Sequence, residues 1–403
     1  LKLAPGASPQ RVIESLDRVD VWTKDGTHYV FGSQDYVPYG TCTLPSGAQV
    51  QCGTGSRLYA TRNSGARVYL AYKLDTIVDT HGNTVQIQYT VFPKPGSNHT
   101  QLKESYPSRI LYTTNPGAGD NHAEYEIQFV VDKKAFTDKK ADKKVAETGF
   151  YLKTVNVWFH YDPNDPANWE TKKVLVRQYR FEYNAQLIAS GTAYELASIT
   201  QYAPDQAQHL PTTSFGYTPR TIGWRINEYL GGTWYTVSRR FLQTVDNGYG
   251  GLLTFGYQDW NCYDYASASE VGNEPFTCAA YAPGRLSWNQ RQLVQSKSLS
   301  PGSGTPLVTN YFYDKADVKW TRNPPAGTYG CRGKVTGGKY ETCFEQFIGF
   351  EKATEDWKSG SQTLKRTETR FHDTEGQPKI DQKKGKVEET WLKDGNGVLY
   401  THN

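Results

Sequence analysis

The chain has 403 residues, 37% of them hydrophobic and 14% aromatic, with 29 Tyr and 10 Trp, and carries a net charge of +4. The near balance of 45 Lys and Arg against 41 Asp and Glu gives no single-sign field of the kind a nucleic-acid binder needs, and no nucleic-acid partner is expected. There is no run of 18 apolar residues, so no membrane-spanning helix is expected either. The length admits two or three ordinary domains or one extended repeat array.

Read from the N-terminus, LKLAPGASPQ is neither a signal peptide nor an initiator sequence, and the chain is expected to be a processed or excised piece. Cys42 and Cys52 enclose CTLPSGAQVQC, which reads as a loop between strands. At 74–89, LDTIVDTHGNTVQIQY predicts a β-hairpin: Val85, Ile87 and Tyr89 alternate with Gln86 and Gln88 beyond a His81-Gly82-Asn83 turn. The sequon at Asn98 sits in a polar loop, compatible with surface exposure and settling nothing about glycosylation. Leading strands are expected near Leu74, Arg109, Leu152, Leu196 and Leu242, at spacings of 35, 43, 44 and 46 residues. Loop insertions on a fixed hairpin core would produce such drift, because loop-closure entropy rises slowly with length. Following strands are expected at 125–129, 179–183 and 311–313.

The charge cluster DKKAFTDKKADKK at 132–144 reads as a solvated loop or short helix, since Asp132, Asp138 and Asp142 dilute its six Lys. The loop holding Asp162, Asn164 and Asp165 gathers hard oxygen donors of the kind Ca²⁺ takes, but lacks EF-hand spacing; a plain Asx-Pro turn competes with the metal. No other cofactor is expected. LASITQY at 196–202 leads through a polar loop to TSFGY at 213–217 as a stretched hairpin. The clearest hairpin is FLQTVDNGYGGLLTFGY at 241–257, where Asp246-Asn247-Gly248 supplies residues that tolerate φ > 0. Trp224, Trp234 and Trp260 flank it, and exposed rings there would stack on sugar faces; core packing is the competing reading. Cys262 with Cys278, and Cys331 with Cys343, complete three close pairs. The absence of any C-x-x-C and of a His at ligand spacing disfavours zinc, so three short-range disulfides and an oxidising, secreted or cell-surface location are expected. The usual hydrolase, metalloprotease and nucleotide-binding signatures do not occur.

Taken in order, WTKDGTHYVFG at 22–32 and YKLDTIVDTHGN at 72–83 with Tyr89 resemble the opening of the Rhs/YD-repeat proteins, a family related to the B and C shell components of bacterial Tc toxins and to the virulence-plasmid B protein. VDNGYGG at 245–251 with Phe255 and Tyr257 is similar to that family's N-G-x-G-G hairpin, and FEQFIGF at 344–350 to its F-R-G-F segment. Tyr-Asp pairs stand at 161–162, 263–264 and 313–314. The regular G-x-x-x-Y-x-Y-D-x-x-G-R-L repeats and the Asp-Pro-Gly signature of the self-cleaving core are missing, so neither autoproteolysis nor an effector domain is carried over.

The resemblance implies an all-β chain of repeated antiparallel hairpins forming an extended, wound YD-repeat-like sheet, a partial shell or solenoid. Its expected regions are an N-terminal strand region with a disulfide loop at 1–60, a hairpin-repeat sheet at 61–260, and further YD-like hairpins with two disulfide loops at 261–403. Hairpins bury their faces only against neighbours, so neighbouring segments of a larger polypeptide, or self-association, are expected. Three functions follow: a non-catalytic shell, spacer or contact scaffold; a carbohydrate- or receptor-binding module using exposed Trp and Tyr; and a β-fold hydrolase. The first is the principal expectation, with no enzymatic activity.

Overall fold

In the computed structural model of the chain, the described residues are 17–61, 67–92, 104–119, 122–138, 148–161, 168–188, 191–226, 233–263, 287–322, 331–332, 342–372 and 386–402. The chain divides into two units, Leu1–Thr212 and Thr213–Asn403. Both are built from antiparallel strands, and the described residues contain no α-helix, only a 3-10 turn at Pro116–Ala118.

The first unit opens with β1 (Val19–Trp22), β2 (His28–Phe31), β3 (Val37–Thr43), β4 (Gln49–Thr54), β5 (Arg57–Thr61) and β6 (Arg67–Tyr72). It continues through β7 (Leu74–Val78), β8 (Thr84–Phe92), β9 (Glu104–Thr114), β10 (Tyr125–Asp138), β11 (Thr148–His160), β12 (Lys173–Ile188) and β13 (Gly191–Tyr202). Antiparallel pairing runs β1-β2-β7-β8-β9-β10-β11-β12-β13. The β3–β4 hairpin attaches where Gly53 and Thr54 meet Val91 and Thr90 of β8, and β5–β6 is a separate two-stranded sheet. The second unit contains β14 (Thr213–Ile226), β15 (Thr233–Asp246), β16 (Leu252–Tyr263), β17 (Ser287–Ser300) and β18 (Leu307–Arg322). After these come β19 (Cys331–Arg332), β20 (Thr342–Ser359), β21 (Gln362–Phe371), β22 (Val387–Asp394) and β23 (Leu399–His402). Successive strands pair from β14 to β18, then β18 to β20 and on to β23, with β19 alongside β20.

One turn is reused. Five hairpins among the described residues turn at 23–27, 44–48, 79–83, 247–251 and 394–398, and in each the first residue's N–H donates to the fifth residue's carbonyl at 2.8–3.0 Å. The fourth position is always a glycine of positive φ: Gly26, Gly47, Gly82, Gly250 and Gly397 lie between 82° and 88°. At 23–27, 44–48, 79–83 and 394–398 the glycine N–H also donates to the first residue's carbonyl, as in a type I turn closed by a left-handed glycine bulge, whereas at 247–251 the second residue, Gly248, has a positive φ of 72° as well. Where the first residue is Asp79, Asn247 or Asp394, its Oδ1 also accepts two backbone N–H groups, at 2.7–2.9 Å. The turn of the 241–257 hairpin is 247–251, with Asn247 as its capping side chain, and Gly248 of the triplet 246–248 does take a positive φ, of 72°.

The hairpins at 74–89 and 242–257 are copies 168 residues apart, down to their registers: Thr76 faces Gln86 as Thr244 faces Thr254. In both, the last tyrosine reaches across, with Tyr89 Oη donating to Leu74 O and Tyr257 Oη to Leu242 O. Tyr313 Oη makes the same clasp to Val294 O over a longer loop. Burial pushes all three phenols up, which keeps them protonated as donors.

Packing of the first unit centres on β8. Val91 and Phe92 are adjacent in a strand and so point to opposite faces. Val91 packs with Tyr36 and Leu58, and Phe92 with Leu44 and Cys52 of the β3–β4 hairpin. The Phe92 ring stacks on Phe150 at 3.9 Å. Burying a ring of this size contributes about 2–3 kcal/mol. The β3–β4 hairpin is pinned at its tip as well, where Ser46 Oγ donates to Asp132 Oδ1 at 2.6 Å. Asp132 thus departs from the solvated loop or short helix expected at 132–144: it is 1% exposed, inside β10, and held by Lys153 at 3.0 Å. Strand alternation sends Asp132 inward and Lys133 outward, which charge density along the sequence does not register. Residues 139–144 of that cluster lie outside the described residues.

Candidate functional site

The richest polar chemistry among the described residues lies on one face of β9 to β12. Glu126 and Gln128 share a face of β10, and Asn156, Trp158 and His160 share a face of β11, by the two-residue period. The register sets Glu126 opposite Trp158 and Gln128 opposite Asn156. On the other side, Gln128 faces Arg109 of β9.

Glu126 and His160 are both fully buried. Arg109 grips Glu126 with two parallel bonds, Nε to Oε1 at 2.8 Å and Nη2 to Oε2 at 2.7 Å. Oε2 also meets His160 Nε2 at 3.0 Å and Lys173 Nζ at 3.1 Å. Burial pushes the Glu126 carboxyl up, but the Arg109 and Lys173 cations override it and hold the acid below its ordinary range. Arg109 extends to Glu170, Nη1 to Oε1 at 2.7 Å, and this bond lowers the Glu170 carboxyl while both acids raise the guanidinium. His160 Nδ1 contacts the Trp169 carbonyl at 2.9 Å, its ring stacks on Trp169 at 4.0 Å, and Trp169 Nε1 donates to Ala123 O at 2.9 Å. A carboxylate offers about four lone-pair positions. The two oxygens of Glu126 meet four side-chain nitrogens from three strands, so the cluster acts as a knot that ties β9, β10, β11 and β12 together.

Beside the knot runs a directional relay of amides. Arg180 Nε donates to Gln178 Oε1 at 2.5 Å, Gln178 Nε2 to Asn156 Oδ1 at 2.8 Å, and Asn156 Nδ2 to Gln128 Oε1 at 3.0 Å. Trp158 Nε1 adds a second donor to Gln128 Oε1 at 3.2 Å. Because a guanidinium can only donate, Arg180 fixes which end of every amide in the row is oxygen. Asn156, 8% exposed, faces Gln178, and Gln178 faces Tyr202, so the row crosses β10 to β13 in register.

The residues singled out in the sequence fall elsewhere. Asp162, Asn164 and Asp165, Cys278 and Asn98 lie outside the described residues; no group of three His, Cys, Asp or Glu that could hold a metal occurs among those described. Trp169 and Glu170, which close the same loop, belong to the knot. Trp224, Trp234 and Trp260 stand on β14, β15 and β16, and Cys262 near the end of β16, with side chains outside the described set. Cys42 and Cys52 are joined, with Cα atoms 5.8 Å apart. The backbone register sets Cys331 directly opposite Cys343. Sequence reasoning passed over His160, Glu126 and the amides; the signal was the polar alternation in YEIQF and NVWFH, strands taken only as hairpin members.

No protein-family model matches the chain, and no curated protein does. Among solved structures it is similar to a crystal structure of TcdB2-TccC3-TEV, at 9% identity over 95% of this chain and 34% of that one, with a TM-score of 0.49. It is also similar to a crystal structure of TcdB2-TccC3, at 9% identity over 93% and 38% of the two chains and a TM-score of 0.45. To a Tc holotoxin pore from Photorhabdus luminescens it shows 12% identity over 86% and 23%, with a TM-score of 0.29. The chain thus spans about a third of the length of the first two, and at such identities the likeness says nothing of activity.

Proposed function

We propose that the chain is a non-catalytic structural module, a shell, spacer or contact scaffold within a secreted or cell-surface protein of YD-repeat type. The observation that carries this reading is the hairpin copied 168 residues apart with its register, its turn-closing hydrogen bond and its tyrosine clasp intact. Selection for a repeated building unit explains such a copy; a single active site does not need it. The knot supports the same reading, because Glu126 and His160 spend their hydrogen bonds on neighbouring strands and hold register instead of facing a substrate. The Cys42–Cys52 bridge supports an oxidising compartment.

A scaffold of this kind joins other polypeptide segments or further copies of itself along exposed strands. Among the described residues β23 pairs only with β22, and Leu399 and Tyr400 on it are exposed. Hydrogen exchange on the polypeptide as its gene encodes it, and on this chain across a dilution series, tests the proposal. Protection of β23 amides in the first, or protection that falls on dilution in the second, is expected; free exchange in both overturns it.

A further inference from the structure

The amide relay ends in a cleft. An open cavity of about 510 Å³ lies where the β3–β4 hairpin overhangs β8, β9 and β10, and Gln88, Thr90, Ser108, Arg109 and Gln128 are among the residues lining it. That volume falls within the range of small-ligand sites. The geometry points to a binding site for a neutral carbohydrate segment in this cleft, read by the outward amide nitrogen of Gln128.

Three observations converge. First, the orientation of Gln128 is set from outside the cleft: its Oε1 is held by Asn156 and Trp158, so its Nε2 is left as the terminal donor of a chain polarised by Arg180. Among the described residues this nitrogen has no hydrogen-bond partner, nor do the side chains of Gln88, Thr90 and Ser108. Second, the register is broken at this spot. Gln88 faces Arg109 while Tyr89 faces Pro107, which leaves Ser108 as the extra residue of a bulge. Bulges re-aim side chains and concentrate beside binding sites. Third, the register row Gln88, Arg109, Gln128 places two amides on either side of a guanidinium whose charge is already matched by Glu126 and Glu170.

The ligand class follows from that inventory. Free amides and hydroxyls, able both to donate and to accept, suit a polyhydroxylated molecule. The neutralised Arg109 gives no preference for an anion. An extended peptide would look for an open strand edge, whereas β9 here is paired on both sides.

The test uses the intact chain on an array of neutral and acidic oligosaccharides, followed by calorimetric titration of the best neutral binder. Gln128→Glu is the decisive variant: it keeps an acceptor for Asn156 and Trp158 but removes the outward donor. Binding is expected to weaken tenfold or more in this variant and in Gln88→Leu, which serves alone if the first does not fold. Val174→Ala, at an exposed residue of β12 that is not among those lining the cleft, is expected to leave affinity unchanged. Absence of neutral-glycan binding, preference for sulfated or sialylated glycans, or unchanged affinity in Gln128→Glu and Gln88→Leu would overturn the assignment.

Discussion

The Tyr89 hydroxyl donates to the carbonyl oxygen of Leu74, 15 residues earlier, at 2.7 Å, and Tyr257 repeats the contact to Leu242 at the same separation. A phenol can make this bond only if turn length and register are both correct, so the clasp reports on the whole hairpin. Tyr89→Phe and Tyr257→Phe should each cost about 1 kcal/mol, the net worth of one hydrogen bond. Chemical denaturation of each variant checks this. A null effect at both positions would reduce the clasp to a bystander of sheet packing.

The glycine of the shared turn gives a second, sharper comparison. Gly397 has φ +88° and open space around a built Cβ, so only backbone strain opposes Gly397→Ala, at about 1–2 kcal/mol. Asn tolerates the left-handed region, and Gly397→Asn should recover much of that loss. At Gly82 a Cβ would sit 3.1 Å from Asn115 Oδ1, whose Nδ2 donates to His81 O. Gly82→Asn should therefore recover less than its counterpart at 397. Equal recovery at both sites in thermal melts would show that the Asn115 contact does not constrain the turn.

The hairpins could be read in the sequence because their determinants are local. Alternation in VQIQY and LLTFGY, and glycines four residues into each turn, act over fewer than six positions. The knot was not legible: Glu126 meets Arg109, His160 and Lys173 at separations of 17, 34 and 47 residues, through loops of unrelated length. Only the register brings them together. The amide relay is hidden for the same reason, since Gln128, Asn156 and Gln178 are unremarkable strand polars until each is placed opposite the next. Asp132 misled by its setting, a charged residue in a charged run that turns inward to hold Ser46.

Disulfide connectivity is open to direct measurement. Cys42–Cys52 is formed, and the Cys331 and Cys343 register places their backbones opposite, so non-reducing peptide mapping should recover both pairs and Cys262–Cys278. Closing a loop of this size contributes about 3 kcal/mol or less in the chain-entropy model. Cys42→Ser with Cys52→Ser should lower stability by that order and loosen the β3–β4 hairpin, raising exchange at Leu44 and Ala48. Free thiols at Cys42 and Cys52 in the protein isolated from its native compartment would remove the support for an oxidising location.

The knot should give the protein an acid limit. In the unfolded chain the Glu126 carboxyl titrates near 4.5, and in the folded chain it is lower, because the Arg109 and Lys173 cations outweigh burial. A depressed folded value means that the folded state binds fewer protons than the unfolded one across that interval. The stabilisation is therefore complete above about pH 4.5 and is lost as the pH falls through the folded value. Glu126→Gln removes the charge and leaves Arg109 and Lys173 without it, at a cost of about 3 kcal/mol near neutral pH. As the pH drops below 4.5 the wild-type carboxyl takes up its proton, and the gap between wild type and variant should narrow. Urea midpoints measured from pH 7 to pH 3 decide it. A gap that stays constant across that range would mean that the charge of Glu126 does not hold these strands, and that packing around Trp169 does.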